Sequence, residues 1–352
     1  MRILRALGCA VALLLATTGC STGSGGVHQN STRGTHPSPG SSQPAAEPAA
    51  PTGSSQSPML GDPYVGLAQV LERRGVRIWW EVDLVSAWLG GPSRLRTVEA
   101  RMRQLGRTPG TAGFKVADEL GYHDGVTSPA QAEQFLREAR RAVAAADPRA
   151  ELLIDMIVPQ LGCLARTTDA AGCSDDAAAS SPAATVDAVQ GYLSAGLVDR
   201  LDLSAGLLDA GAYPGGDRQA AMATAWREVR ARHWDRQTKL QARKALAAPG
   251  GYAGDPAADL AVFVDVPVDH GAGAVDLWTW RQPYQGATVG LFPEPPQRGR
   301  LWQPLRDRHA AGLRLFTHMT PSTLPRSATA LGTVADQAAQ VFTDVFVAAG
   351  AG

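Results

Sequence analysis

The 352-residue chain predicts an α/β domain in which parallel strands close into a barrel wrapped by helices, and three observations lead there. From Gly61 onward, short apolar runs alternate with helical patterns. Within each run only one parity is aliphatic, and no change of composition divides the stretch into two domains. Runs alternating with helices are what parallel strands with helical crossovers produce. A sheet covered on both faces reads as continuous aliphatic runs, whereas a barrel covers its outer face and turns the other parity into a lumen. The prediction is therefore a (β/α)8, TIM-like barrel over residues 61–352, irregular in its second half.

Strands are expected at 76–84, 112–119, 152–158, 198–204, 261–266, 275–280 and 313–318. In the first, Ile78, Trp80, Val82 and Leu84 oppose Arg77, Trp79, Glu81 and Asp83. The same alternation sets Ile154 and Met156 against Asp155, Leu201 and Leu203 against Arg200 and Asp202, and Leu313 and Leu315 against Arg314 and His318. Side chains alternate faces along a strand, so each run has one face for the core and one for the lumen. Helices are expected over 129–146, with Ser128 as N-cap and Pro129 at the first position, over 217–233 and over 328–347. The connection 266–274 is too short for a helical crossover, so an eighth strand is sought at 288–292 or 239–246.

Bulk numbers exclude one class of partner. Lys and Arg total 33 against 33 Asp and Glu, for a net charge of zero, so there is no excess positive charge to bind a nucleic acid. No phosphate-cradling glycine loop follows a strand, and no cofactor is implied.

The N-terminus carries its own message. Arg2 and Arg5 precede an apolar run of about a dozen residues, too short to span a bilayer, and small residues lead to Cys20. Residues 1–19 thus form a signal peptide. The segment Leu15-Ala16-Thr17-Thr18-Gly19-Cys20 resembles the lipobox of bacterial lipoproteins, in which the cysteine is acylated; Thr17 departs from the aliphatic residue usual there. The resemblance implies a lipid on Cys20 and an extracytoplasmic protein held at the membrane. The Ser, Gly and Pro-rich stretch within 20–60 is a tether. With Cys9 and Cys20 accounted for, Cys163 and Cys173 remain, and in an oxidising compartment they are expected to pair; a pair of free thiols and a metal site are the alternatives, the latter without His at ligand spacing.

If the strands are parallel, their C-terminal ends share the barrel mouth, where sites of this architecture lie. Bases fall early in the runs (Arg77, Lys115, Arg200, Arg314) and carboxylates late (Glu81, Asp83, Glu119, Asp155, Asp202, Asp265). Carboxylates crowded at a mouth cannot all ionise, which yields an acid beside an ionised partner. Trp278, Trp280 and His318 are expected beside them as ligand-binding residues, with Glu81 and Asp83; His123, Asp124 and His270 lie in loops near strand ends. In this arrangement the chain resembles glycoside-hydrolase-type (β/α) barrels, with no diagnostic motif. The resemblance implies Glu119 as general acid/base, Asp202 or Asp265 as nucleophile or stabiliser, Asp155 as the alternative, and a carbohydrate or other small polar ligand bound by a monomer. Two other functions remain open: a tethered glycan- or solute-binding protein without chemistry, and a metal-dependent hydrolase using Asp83, Asp155 and His318.

Overall fold

A computed structural model describes residues 61–122, 124–295 and 297–349. Ten strands are present: β1 (Arg77–Glu81), β2 (Thr111–Lys115), β3 (Glu151–Ile157), β4 (Arg200–Ser204), β5 (Lys239–Ala245), β6 (Ala248–Pro249), β7 (Ala274–Tyr284), β8 (Ala287–Gly290), β9 (Leu315–Met319) and β10 (Asp344–Ala348). Eight of them pair in parallel in the order β1-β2-β3-β4-β5-β7-β9-β10, and β10 returns to β1, so the barrel is closed. The short β6 and β8 form an antiparallel arm with the far end of β7. The helix Pro63–Glu72 precedes β1 and packs against β1, β10 and the helix Ala328–Ala338; it occupies the place of the crossover that would follow a last strand.

Local signals set the helices. Ser128 accepts a hydrogen bond from the Gln131 amide and Pro129 opens the helix Pro129–Ala146, which buries Ala132, Phe135, Leu136 and Ala139 against the sheet. Asp217 caps Arg218–Ala231 in the same way.

Two expectations need correction, one of a strand and one of a helix. Residues 261–266 are helical, the segment Ala261–Asp265 continuing Pro256–Leu260, so the alternating valines there face a helical neighbourhood. The eighth strand sought at 288–292 or 239–246 is β5, in the second of those segments. The last helix stops at Ala338, and the segment expected to continue it contains β10. The segment 288–292 does hold a strand, but in the arm.

The parity argument holds in the barrel. Outward residues of the strands join the main core with the helices. Inside, Trp79, Leu153, Ala274, Phe316 and Phe346 form a separate apolar layer across the middle, with ring centroids 5.4 Å apart for Phe316 and Phe346 and 5.8 Å for Trp79 and Phe316. Gly113, in register with Trp79, leaves the room the indole occupies, since a Cβ there would stand 2.5 Å from Trp79 Cζ3. Below this layer, buried Asp344 accepts hydrogen bonds from Trp79 Nε1, Arg314 and Arg77. Above it lies the polar layer that faces the mouth.

Candidate active site at the barrel mouth

The upper layer is built by consecutive strand ends. Glu81 closes β1 and Lys115 closes β2, in register with each other. Asp155 on β3 faces Asp202 on β4, which faces Gln241 on β5; Arg243 on β5 faces Asp276 on β7, and His318 comes from β9. Lys115, read from sequence as an early base, is the last residue of its strand, which places it among the carboxylates. It is wholly buried, and its Nζ lies 3.0 Å from Glu81, 2.8 Å from Asp118 and 2.6 Å from Asp155. Arg243 lies beside the same group, 3.1 Å from Glu119, 3.3 Å from Asp155 and 3.4 Å from Asp118. On the other side His318 bridges two carboxylates, Nδ1 at 2.8 Å from Glu81 and Nε2 at 2.9 Å from Asp276.

Six carboxylates thus share three cations in a low-dielectric space, and their protonation divides accordingly. Burial pushes Glu81 up, yet Lys115 and His318 outweigh it and hold the carboxyl at about 2. Burial likewise opposes the charge on Asp118, but Lys115 and Arg243 keep it well below the usual carboxylate range. Asp155 is different: burial dominates, Asp118 adds to it, and despite Arg243 and Lys115 the carboxyl rises to about 7. Asp202 goes well above the usual range through burial and the neighbouring Asp276 and Asp155, and neither of its oxygens finds a hydrogen-bond partner among the described residues. Burial opposes the His318 charge, but Asp276 and Glu81 raise it to about 9, so the imidazole is a fixed cation at neutral pH. Lys115 is also held charged, its three carboxylates prevailing over burial.

A cleft of about 350 Å³ opens over this layer on the side of β1, β2 and β10, lined by Glu81, Asp83, Asp118 and Asp124 among small apolar residues. Among the described residues no Lys, Arg or His lines it. Asp118 is the most exposed member of the ion-paired group, its side chain 63% accessible, and it shares Lys115 and Arg243 with Asp155 behind it.

Glu81, Asp155, Asp202 and His318 therefore meet in one lumen, with Asp202 sealed beneath the mouth. Glu119 lies at the rim in a left-handed turn (φ 56°), beyond the end of its strand, with Oε1 on Arg243 and its amide donating to Asp155. Asp83 also lies past its strand and caps the helix Leu84–Leu89, its carboxylate accepting from the Ser86 amide. Asp265 is not in the lumen at all: it stands on the helical segment outside and pairs with Arg308 through both oxygens, at 2.8 and 2.6 Å. The two tryptophans do not form a pair of ligand platforms. The register of β7 against β9 shifts between Leu277 and Arg281, so Trp280 turns into the outer core against Phe292 and Phe342, while Trp278 stays half-buried at the rim against Tyr284. His270 lies before β7, at the opposite end of the barrel from the mouth, and hydrogen-bonds to the Val266 carbonyl. Asp124 accepts from the Gly121 and Val126 amides at the cleft edge. His123 and Cys20, with the leader and tether, lie outside the described residues. Cys163 and Cys173 are joined by a disulfide.

The metal alternative lacks its ligand set. Among the described residues no three His, Cys, Asp or Glu side chains form a group suited to a metal ion. Both His318 nitrogens face carboxylates, so the imidazole has no lone pair to offer. Sequence reading missed Asp118, Arg243, Gln241 and Asp276 as site residues. The alternation of Lys239, Gln241 and Arg243 with Leu240 and Ala242 was the signal for two of them.

No family model matches the chain, and no curated protein matches it. Solved structures that it resembles are other barrels. The 7,8-dihydropteroate synthase of Vibrio fischeri is 13% identical with a TM-score of 0.34, over 77% of this chain and 87% of that one. A 2,3-dimethylmalate lyase of the PEP mutase/isocitrate lyase superfamily is 12% identical with a TM-score of 0.33, over 82% and 81%. The catalytic core of the cellobiohydrolase Cel6A from Chaetomium thermophilum is 13% identical with a TM-score of 0.37, over 64% and 68%. Likeness at this level carries nothing about chemistry.

Proposed function

We propose that the protein is an extracytoplasmic carbohydrate-active enzyme, a glycosidase-like hydrolase tethered through an acylated Cys20, with residues 1–19 removed, 20–60 as tether and 61–352 as the catalytic domain. The observation that carries the chemistry is the Asp118–Asp155 pair: a buried carboxyl that keeps its proton to about pH 7, sharing Lys115 and Arg243 with an ionised carboxylate that reaches the cleft. Such a pair supplies and recovers a proton near neutrality, as general acid/base catalysis needs. Glu81, ionised and lining the same cleft, supplies negative charge for a cationic transition state. In this reading Asp118 and Asp155 take the acid/base role expected of Glu119, which positions Asp155 through its amide and Arg243 through its side chain.

The cleft lining disfavours an anionic substrate, since among the described residues it offers four carboxylates and no base; a neutral, hydroxyl-rich ligand suits it. The disulfide supports an oxidising compartment. No helix among the described residues is long and apolar enough to cross a membrane, so attachment in this reading rests on the lipid.

A second reading, capture of a glycan without turnover, draws on the fact that every cleft carboxylate is already engaged: Glu81 and Asp118 with Lys115, Asp83 and Asp124 with backbone amides. The test is reducing-end release from α- and β-linked oligosaccharides by the wild type and by Asp118→Asn and Asp155→Asn. The hydrolase reading expects losses of about 10²- to 10⁴-fold in folded variants. Calorimetric binding without product would favour capture, and variants as active as the wild type would remove the acid/base assignment.

A further inference from the structure

Outside the acidic cleft, the rim near the ends of β4 and β5 holds a second group of charges of opposite sign. Arg243 points into the lumen, so its neighbour Lys244 points out of the barrel. Its Nζ lies 4.4 Å from the centroid of the Phe263 ring. The guanidinium carbon of Arg218, at the start of the helix Arg218–Ala231, lies 4.9 Å from the same centroid. Phe263 itself is buried.

Neither cation takes part in a salt bridge among the described residues, and Arg218 Nε is buried without a hydrogen-bond partner. The carboxylates whose fields reach Lys244 are Asp259 and Asp209. Asp259 is occupied by the Tyr252 hydroxyl at 2.5 Å, and Asp209 is exposed in the loop after β4. An aromatic face attracts each cation by about 0.5–2 kcal/mol but does not cancel their mutual repulsion. Burial first, and Arg218 next, work against the charge on Lys244. Two half-buried like charges on one ring, both open in part to solvent, make an arrangement that an anion would complete.

We propose that Arg218 and Lys244 form an oxyanion-binding site on the outer rim of the mouth, taking a phosphate-ester or carboxylate group. Arg218 offers the planar fork of its guanidinium, and Lys244 a point charge, a combination that suits an anion with several oxygens. The site stands apart from the Asp118–Asp155 chemistry and does not depend on it.

The test compares thermal unfolding of the purified full chain in sodium chloride with that in sodium phosphate or sodium acetate at equal ionic strength and pH 7. A Tm rise of about 2–3 °C is expected at an anion concentration ten times its Kd. A response to phosphate identifies a phosphoryl group, and a response to acetate a carboxylate. Lys244→Met and Arg218→Met abolish the rise, and Lys244→Met in chloride alone is no less stable than the wild type because a repulsion has been removed. Titration calorimetry of inorganic phosphate into the wild type and Lys244→Gln gives the same comparison without reference to stability. The proposal is overturned if neither anion raises Tm, or if the rise persists in both Met variants.

Discussion

Lys115 Nζ stands between Asp118 and Asp155, 2.8 Å from the first and 2.6 Å from the second, yet the two carboxyls hold their protons at opposite ends of the scale. Both also meet Arg243, but Asp118 reaches solvent and stays ionised, whereas Asp155 is sealed with Asp118 and Asp202 beside it. Lys115 and Arg243 also serve Glu81 and Glu119, so they cannot neutralise every carboxyl around them, and the sealed one keeps its proton.

Removing that ammonium has a definite consequence. Lys115→Met leaves Glu81, Asp118 and Asp155 without their shared buried cation, and breaking a buried pair in this way costs about 3–5 kcal/mol. The midpoint of urea unfolding falls accordingly. An unchanged midpoint would mean that the cluster contributes nothing to the fold.

The His318 bridge sets both limbs of the pH–stability profile. Its folded value near 9 lies above the ordinary 6.5, so its contribution is complete below pH 6.5 and lost as the pH rises through 9. Glu81, held at about 2 against an ordinary 4.5, contributes fully above pH 4.5 and loses that contribution as the pH falls through 2. His318→Phe removes the alkaline loss while lowering stability at pH 7, because Glu81 and Asp276 then lack their common partner. Unfolding midpoints at pH 5, 7 and 10 measure both effects.

Much of the barrel was legible because the strands of a closed sheet must sort their residues by parity, and Arg77 to Glu81 or Arg200 to Ser204 do so openly. What stayed hidden follows from the same physics. In β5 the lumen-facing Gln241 and Arg243 outweigh Leu240 and Ala242, so 239–246 stood only as one of two candidates for the eighth strand. The valines of residues 261–266 mimic a strand because an apolar run this short cannot be told from a buried helical segment by its pattern alone. Asp118 was passed over because it lies past the end of β2, where only the folded rim brings it against Lys115 and Arg243.

The middle layer predicts its own sensitive point. Gly113→Ala sets a methyl group against the Trp79 ring and the Glu151 carbonyl, neither of which can retreat in a filled barrel. Overpacking of this kind costs about 1–3 kcal/mol. A variant with unchanged Tm would show the layer to be loosely filled.

The Cys163–Cys173 bond spans a separation of ten residues. On the loop-entropy account its reduction removes about 2–3 kcal/mol. Thermal unfolding with and without reductant, and of Cys163→Ser with Cys173→Ser, should give the same lowered Tm; equality with the oxidised protein would contradict the bond's stabilising role.

The central claim is that a carboxyl at the mouth keeps its proton into the neutral range. Carbon-13 NMR titration of the Asp155 side-chain carboxyl in the folded protein tests it without any substrate. The account predicts a midpoint near 7, moved by Asp118→Asn. A midpoint near 4, indifferent to Asp118, would contradict it.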